Sequence, residues 1–93
     1  MDIHRIKISS EYFDSVLHGL KKAEYRKNDR DYKCGDSVLM LEIESGAFTG
    51  RALKTCITDV TDLSYFNNDE YVMFSVEKPS FVSAELLKGM ETP

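Results

Sequence analysis

The sequence predicts a small, mostly β domain of the α+β class with one or two short helices, and three features predict it. One stretch near the start carries apolar residues at helical spacing and ends in a glycine. Several later runs alternate in polarity or are apolar throughout, each bounded by Gly, Asn or Asp. The chain is 93 residues, 42% apolar and 30% charged, an ordinary globular mixture too apolar for disorder. At that length one modest core forms, hiding roughly 60 to 65% of the surface an unfolded chain exposes. One helix followed by four or five strands points to a strongly bent sheet or a small barrel.

Each element has its own signal. Ile3, Ile6 and Ile8 bracket His4, Arg5 and Lys7, which suits a short opening strand of open register. Ser9 or Ser10 is a helix cap, and Glu11 falls in the first turn, where the helix dipole favours a carboxylate. Tyr12, Phe13, Val16, Leu17 and Leu20 recur at helical spacing, so a helix from about Ser10 to His18 lays one face on the core. Gly19 closes it, because glycine takes the left-handed conformation that ends helices.

From Lys21 the period becomes two. Lys22, Glu24 and Arg26 share one face of a strand, with Ala23 and Tyr25 on the other. This reads as a strand showing its charges to a cleft or to water. Asn28-Asp29-Arg30-Asp31 breaks it, since Asn and Asp bond their own backbone, and Gly35-Asp36 is a second break. Val38 to Ile43 is apolar on both faces for most of its length, as in a covered strand. After a turn at Glu44-Ser45-Gly46-Ala47, a long strand runs from Phe48 to about Val60, with Gly50 marking a bulge. Asp59 to Asp69 reads as a connection from which Leu63, Tyr65 and Phe66 reach the body. Tyr71 to Val76 is the last strand of the domain, taken as residues 1–78. Residues 79–93 form an extension with a short helix over Phe81–Leu87 and a frayed tail.

No apolar run approaches the roughly 20 residues of a membrane span, and Met1-Asp2-Ile3-His4-Arg5 does not open a signal peptide, so the expected location is cytoplasmic and no membrane partner is expected. In that compartment Cys34 and Cys56 are expected as buried free thiols. His4, His18, Cys34 and Cys56 lack the close pairwise spacing of a zinc site. Neither metal nor cofactor is expected, and the favoured state is a monomer. The formal net charge is −4, yet Lys21 to Lys33 holds six basic residues (Lys21, Lys22, Arg26, Lys27, Arg30, Lys33) against Glu24, Asp29 and Asp31. That stretch is a positive island on an acidic body, able to meet a phosphate at one place while repelling polyanions elsewhere. A solvated strand and loop is the plainer account.

The same weighing applies residue by residue. Lys21 is either a surface lysine or an ammonium aimed at a phosphate. Glu24 and Arg26, two apart on a strand, make a structural ion pair, or present a carboxylate and a guanidinium fork to a base edge and a phosphate. Asn28-Asp29-Arg30 is a tight turn, or a device that sets Arg30 beside Arg26 so that two cations converge on one phosphate. Tyr25, Tyr32 and Phe48 belong to the core or stack on a base.

The run from Gly19 to Asp36 resembles the signature of a family of short phage and bacterial proteins, the domain of unknown function DUF3850, grouped with the ASCH branch of PUA-like domains. In words the pattern is Gly-x-Lys-x-x-Glu-x-Arg-x-Asn-Asp-Arg-x-aromatic-x-x-Gly-Asp, and every fixed position is met. The likeness extends to His4-Arg5-Ile6-Lys7, Leu41-Glu42, Phe48-Thr49-Gly50-Arg51, Ile57-Thr58 and Tyr71 to Val76. It implies a PUA-like β-barrel with the Gly-x-Lys-x-x-Glu-x-Arg strand facing a cleft, and it sets Thr49-Gly50-Arg51 at the mouth of that cleft. ASCH domains are proposed to bind RNA, and some remove the acetyl group of N4-acetylcytidine with a lysine at the position of Lys21 and a threonine nucleophile where this chain has Glu24. Glu24 supplies no hydroxyl, and Glu70 is the candidate for the later acid of such a site.

The expectation is therefore a binding module for RNA or a modified nucleotide, with Lys21, Glu24, Arg26, Asn28, Asp29, Arg30 and Arg51 as ligand-binding residues. The alternatives are an amidohydrolase acting on a modified nucleoside, with Lys21 and Glu24 as its catalytic pair, and a phage-type protein-interaction domain.

Overall fold

Ser9 both ends the first strand and starts the helix. In a computed structural model, which describes residues 2–66 and 70–82, strand β1 (Ile3–Ser9) runs straight into helix α1 (Ser10–Leu17). The extended Ser9 backbone lets its hydroxyl accept from the Glu11 amide at 3.3 Å, satisfying one of the helix's orphan donors. Gly19, at φ +74°, closes the helix as expected, and the Gly19 and Leu20 amides bond back to the Val16 and Ser15 carbonyls. Phe13 and Val16 are buried, whereas Tyr12 and Leu20 are exposed, so the inward face is narrower than the apolar spacing suggests.

The strands that follow are β2 (Ala23–Lys27), β3 (Ser37–Glu44), β4 (Ala47–Asp62), β5 (Tyr71–Val76) and β6 (Ser80–Val82), with a 3-10 turn at Ser64–Phe66. They form one sheet in the order β1-β3-β4-β5-β2, with β6 paired to β4 beside that path. Only β1 and β3 run parallel among the described strands. The mostly β, α+β class holds, with a single short α-helix among the described residues. The expected barrel does not: the sheet is open, and β1 and β2 are its two ends.

Strand β4 makes the sheet bend. Over its first two thirds it pairs with β3, and over its last third with β5. The register slips opposite Leu41/Ile43, where Gly50 sits at φ +91°, and again between Ile57 and Asp59. The first slip is the bulge expected at Gly50; the second turns β4 out of its pairing with β3 into its pairing with β5. The β3–β4 hairpin closes on Ser45 and Gly46, both at positive φ, the geometry that matches strand twist in a two-residue loop. β4 runs on to Asp62, shortening the expected connection, and residues 67–69 lie outside the described residues. Leu63 is buried, but Phe66 is exposed.

The core lies inside the bend: Ile6, Ile8, Phe13, Val16, Tyr32, Val38, Met40, Leu53, Ile57, Val72, Phe74 and Val76 form one cluster. Each fully buried large side chain such as Phe13 or Phe74 contributes about 1.5–3 kcal/mol of transfer free energy. β3 is covered on both faces, as its sequence predicts, because Leu39 and Leu41 form a second cluster with Ala52, against which Val82 packs. Ser80–Val82 is thus a strand and not the start of the helix expected over Phe81–Leu87; the remainder of that helix lies outside the described residues. Cys34 and Cys56 are free, but Cys34 is exposed and Cys56 only half-buried, correcting the expectation of buried thiols.

One buried polar joint fastens the start of the chain. His4 Nε2 lies 2.7 Å from Asp36 Oδ2, and the Asp2 and Lys33 amides donate to the same carboxylate at 3.2 and 3.1 Å. The His4 hydrogen bond and the two amides hold the Asp36 carboxyl below its ordinary range despite burial. Tyr32 rests against the His4 ring at 4.7 Å.

A candidate anion-binding groove at the sheet seam

An open sheet leaves backbone donors and acceptors on its end strands, and those must be met by other groups. Here the two end strands are bridged by arginines. Arg26, on β2, donates from Nη2 to the Lys7 carbonyl of β1 at 2.6 Å. Arg30, just beyond β2, donates from Nη1 to the Arg5 carbonyl at 2.6 Å. The turn between them is set by the Asp29 amide bonding to the Lys27 carbonyl and the Asn28 amide to the Glu70 carbonyl. Guanidinium groups therefore stand where strand-to-strand hydrogen bonds would close a barrel.

The seam so formed is a groove of about 500 Å³ lined by Arg5, Ile6, Lys7, Arg26, Lys27, Asp29, Arg30 and Tyr32. Five of these side chains are cationic and one, Asp29, is acidic, in a chain whose formal charge is −4. Each bridging arginine keeps unused N–H groups, since a guanidinium carries five donors. Arg5 Nε is buried with no hydrogen-bond partner among the described residues, and Arg5 borders not only this groove but also an apolar hollow with Ile3, Leu39 and Val82. Tyr32 forms the floor. Burial raises its phenol pKa, against the nearby Arg30 and Arg26 charges.

A second hollow adjoins the first and shares Arg26 with it, lined by Ile8, Ser9, Tyr12, Lys21, Glu24 and Tyr25. Glu24 is buried at its base. Its carboxylate accepts from Arg26 Nε at 3.2 Å and from Lys21 Nζ at 3.4 Å, while Lys21 also donates to the Ala23 carbonyl at 2.9 Å. The charged face of β2 is consequently turned inward, and the Ala23/Tyr25 face looks out to solvent. Glu24 acts on Arg26 chiefly by fixing its planar fork toward the seam.

Lys21, Glu24, Arg26, Asp29 and Arg30 are thus brought together along one seam, and two expected residues are not. Asn28 lines a separate depression with Asp31, Asp62, Ser64 and Tyr71. Arg51 lies away from the groove altogether. It donates from Nε and Nη2 to the two Glu42 oxygens at 2.8 and 2.6 Å, and Thr49 adds a bond of 2.5 Å to Oε1. Arg51 also covers the Phe13 ring at 4.2 Å. Glu42 is 1% exposed, and the Arg51 and Thr49 hydrogen bonds hold its carboxyl below the ordinary range in spite of burial. This cluster satisfies a buried charge at the β3–β4 bulge, and Thr49-Gly50-Arg51 does not reach the groove mouth.

Sequence reasoning missed Arg5, Lys7 and Lys27 as groove residues. The signal was present for two of them: Arg5 and Lys7 alternate with buried His4, Ile6 and Ile8, so one face of β1 is as basic as β2 is charged. Tyr32 belongs to the core, while Tyr25 and Phe48 are exposed.

These observations define a class: a small α+β domain whose open sheet carries a basic groove along its seam. The chain belongs to the family described as domain of unknown function (DUF3850), whose model matches residues 3–76, that is β1 through β5 with the whole seam. It is similar to the "Uncharacterized 12.9 kDa protein in GpA 3'region" of Escherichia phage P2, 51% identical over 71 residues, which cover 76% of this chain and 64% of that protein. The chain therefore spans less than two thirds of that relative's length.

Proposed function

We propose that this domain binds RNA or a nucleotide, with a phosphate seated between Arg26 and Arg30 in the seam groove. The observation that carries this reading is the concentration of Arg5, Lys7, Arg26, Lys27 and Arg30 around one groove of an otherwise acidic protein. Low-dielectric walls focus such a field, and guanidinium forks match phosphate oxygens. A PUA-like ancestry, which the Gly19–Asp36 signature suggests, agrees with a nucleotide in a cleft beside this strand.

Catalysis is the weaker use of these residues. Glu24 is engaged by two cations, Arg26 and Lys21, and its hydrogen bonds among the described residues include none to a hydroxyl or thiol. The carboxylate is better suited to hold Arg26 than to deprotonate water.

Titration of uridine 5′-monophosphate and a short labelled RNA against the protein across a salt series tests the reading. Few phosphates are neutralised in so local a groove, so the log–log slope for the RNA should be roughly −1 to −3, on the rule of about 0.7 to 0.9 per phosphate. Absence of binding of both ligands at low salt, or a slope near −8, contradicts it.

A further inference from the structure

We infer that the ligand is single-stranded RNA of two or more nucleotides, with one base stacked on the tyrosine pair outside the groove; this rests on the phosphate-binding reading above. On the outer face of the β2–β5 ribbon, Tyr25 and Tyr71 lie with centroids 4.9 Å apart and planes 7° from parallel. Both are solvent-facing, at 54% and 36% exposure, and Met73, paired in register with Tyr25, is exposed beside them. Large rings left in water on a strand face, rather than turned to the core, mark a contact surface.

Three observations choose nucleic acid as what covers it. Tyr25 borders the hollow that shares Arg26 with the basic groove, so the aromatic surface lies one strand edge away from the proposed phosphate seat. Lys27, opposite Tyr71 in register, is exposed on the same face and also lines the basic groove, and a cation beside the rings suits a polyanion that carries bases. The two rings are already stacked in nearly parallel planes, so a base extends an existing stack at little ordering cost. Asp29 selects RNA. As the one carboxylate lining the groove among the described residues, it repels phosphate but accepts from a hydroxyl, and the ribose 2′-OH is a donor that DNA lacks.

The probes are uridine 5′-monophosphate, a 5′-phosphorylated uridine trimer and the matching deoxythymidine trimer, followed through tyrosine fluorescence, which is uncomplicated because the chain has no tryptophan. The uridine trimer should bind about tenfold or more tighter than the mononucleotide, and tighter than the deoxy trimer. Tyr71→Leu should lower trimer affinity at least fivefold more than mononucleotide affinity, Tyr71→Phe should retain both, and Arg30→Ala should weaken both together. Equal affinity of trimer and mononucleotide, equal loss of both in Tyr71→Leu, or equal affinity for the deoxy trimer overturns the inference while leaving the phosphate seat standing. Failure of all three ligands to bind removes the phosphate seat itself. Self-association that disappears in Tyr71→Leu also overturns it, by making this face an interface between copies.

Discussion

Arg30→Ala separates an architectural arginine from one that serves only a ligand. A solvent-facing arginine normally changes stability by less than about 0.5 kcal/mol when truncated. Arg30 instead donates to the Arg5 carbonyl at 2.6 Å across the seam. A hydrogen bond from a charged group contributes about 1.5–3 kcal/mol when sheltered, but the Arg30 side chain is 37% exposed, so water replaces part of it. The expected cost is about 1 kcal/mol, which in a domain of this size lowers Tm by about 4–8 °C. Arg26→Ala removes the bond to the Lys7 carbonyl and also leaves buried Glu24 with Lys21 alone, at 3.4 Å. Its cost should reach about 2–3 kcal/mol, because an under-compensated buried carboxylate is expensive. Thermal unfolding followed by circular dichroism reads both, alongside mononucleotide affinity on the folded fraction. Arg30→Lys keeps the charge but not the fork, and should recover more affinity than Tm. A Tm for Arg30→Ala within about 1 °C of wild type, or Arg26→Ala milder than Arg30→Ala, refutes the account of the seam as bridged by these two side chains.

Further outcomes follow from other parts of the molecule. Glu42 is held below its ordinary 4.5 by its hydrogen bonds to Arg51 and Thr49. A depressed folded pKa means that the associated stability is present above about 4.5 and lost as pH falls through the lower folded value. Glu42→Gln should therefore be less stable at pH 7 and should show a shallower acid fall in Tm below pH 4.5; a profile parallel to wild type contradicts this. Gly46→Ala meets no atom within 4 Å but is forced to φ +81°, so it should cost about 1 kcal/mol through backbone strain alone, measured by urea unfolding with unchanged m-value. The purified protein should not deacetylate N4-acetylcytidine above background, and Glu24→Gln should weaken nucleotide binding by releasing Arg26. Turnover lost in both Lys21→Ala and Glu24→Gln would establish a hydrolase instead.

The features legible in the chain before folding are local. The Ser9 cap, the Gly19 stop, the doubly covered strand from Val38 and the bulge at Gly50 each follow from one residue's conformational preference or from periodicity over a few neighbours. The charges of the Lys21–Lys33 stretch, and the pairing of Glu24 with Arg26 two residues on, were legible for the same reason. Which other residues share that surface was not. Arg5 and Lys7 reach the groove because β1 and β2 are the two ends of one sheet, a consequence of strand order that no local pattern encodes. Arg51 turned away because a buried carboxylate 9 residues earlier claimed its guanidinium, and a desolvated charge outweighs any preference for a cleft. The open seam is likewise tertiary: whether two end strands pair directly or through side chains depends on the distance the β4 bends leave between them, and here that distance is bridged by Arg26 and Arg30.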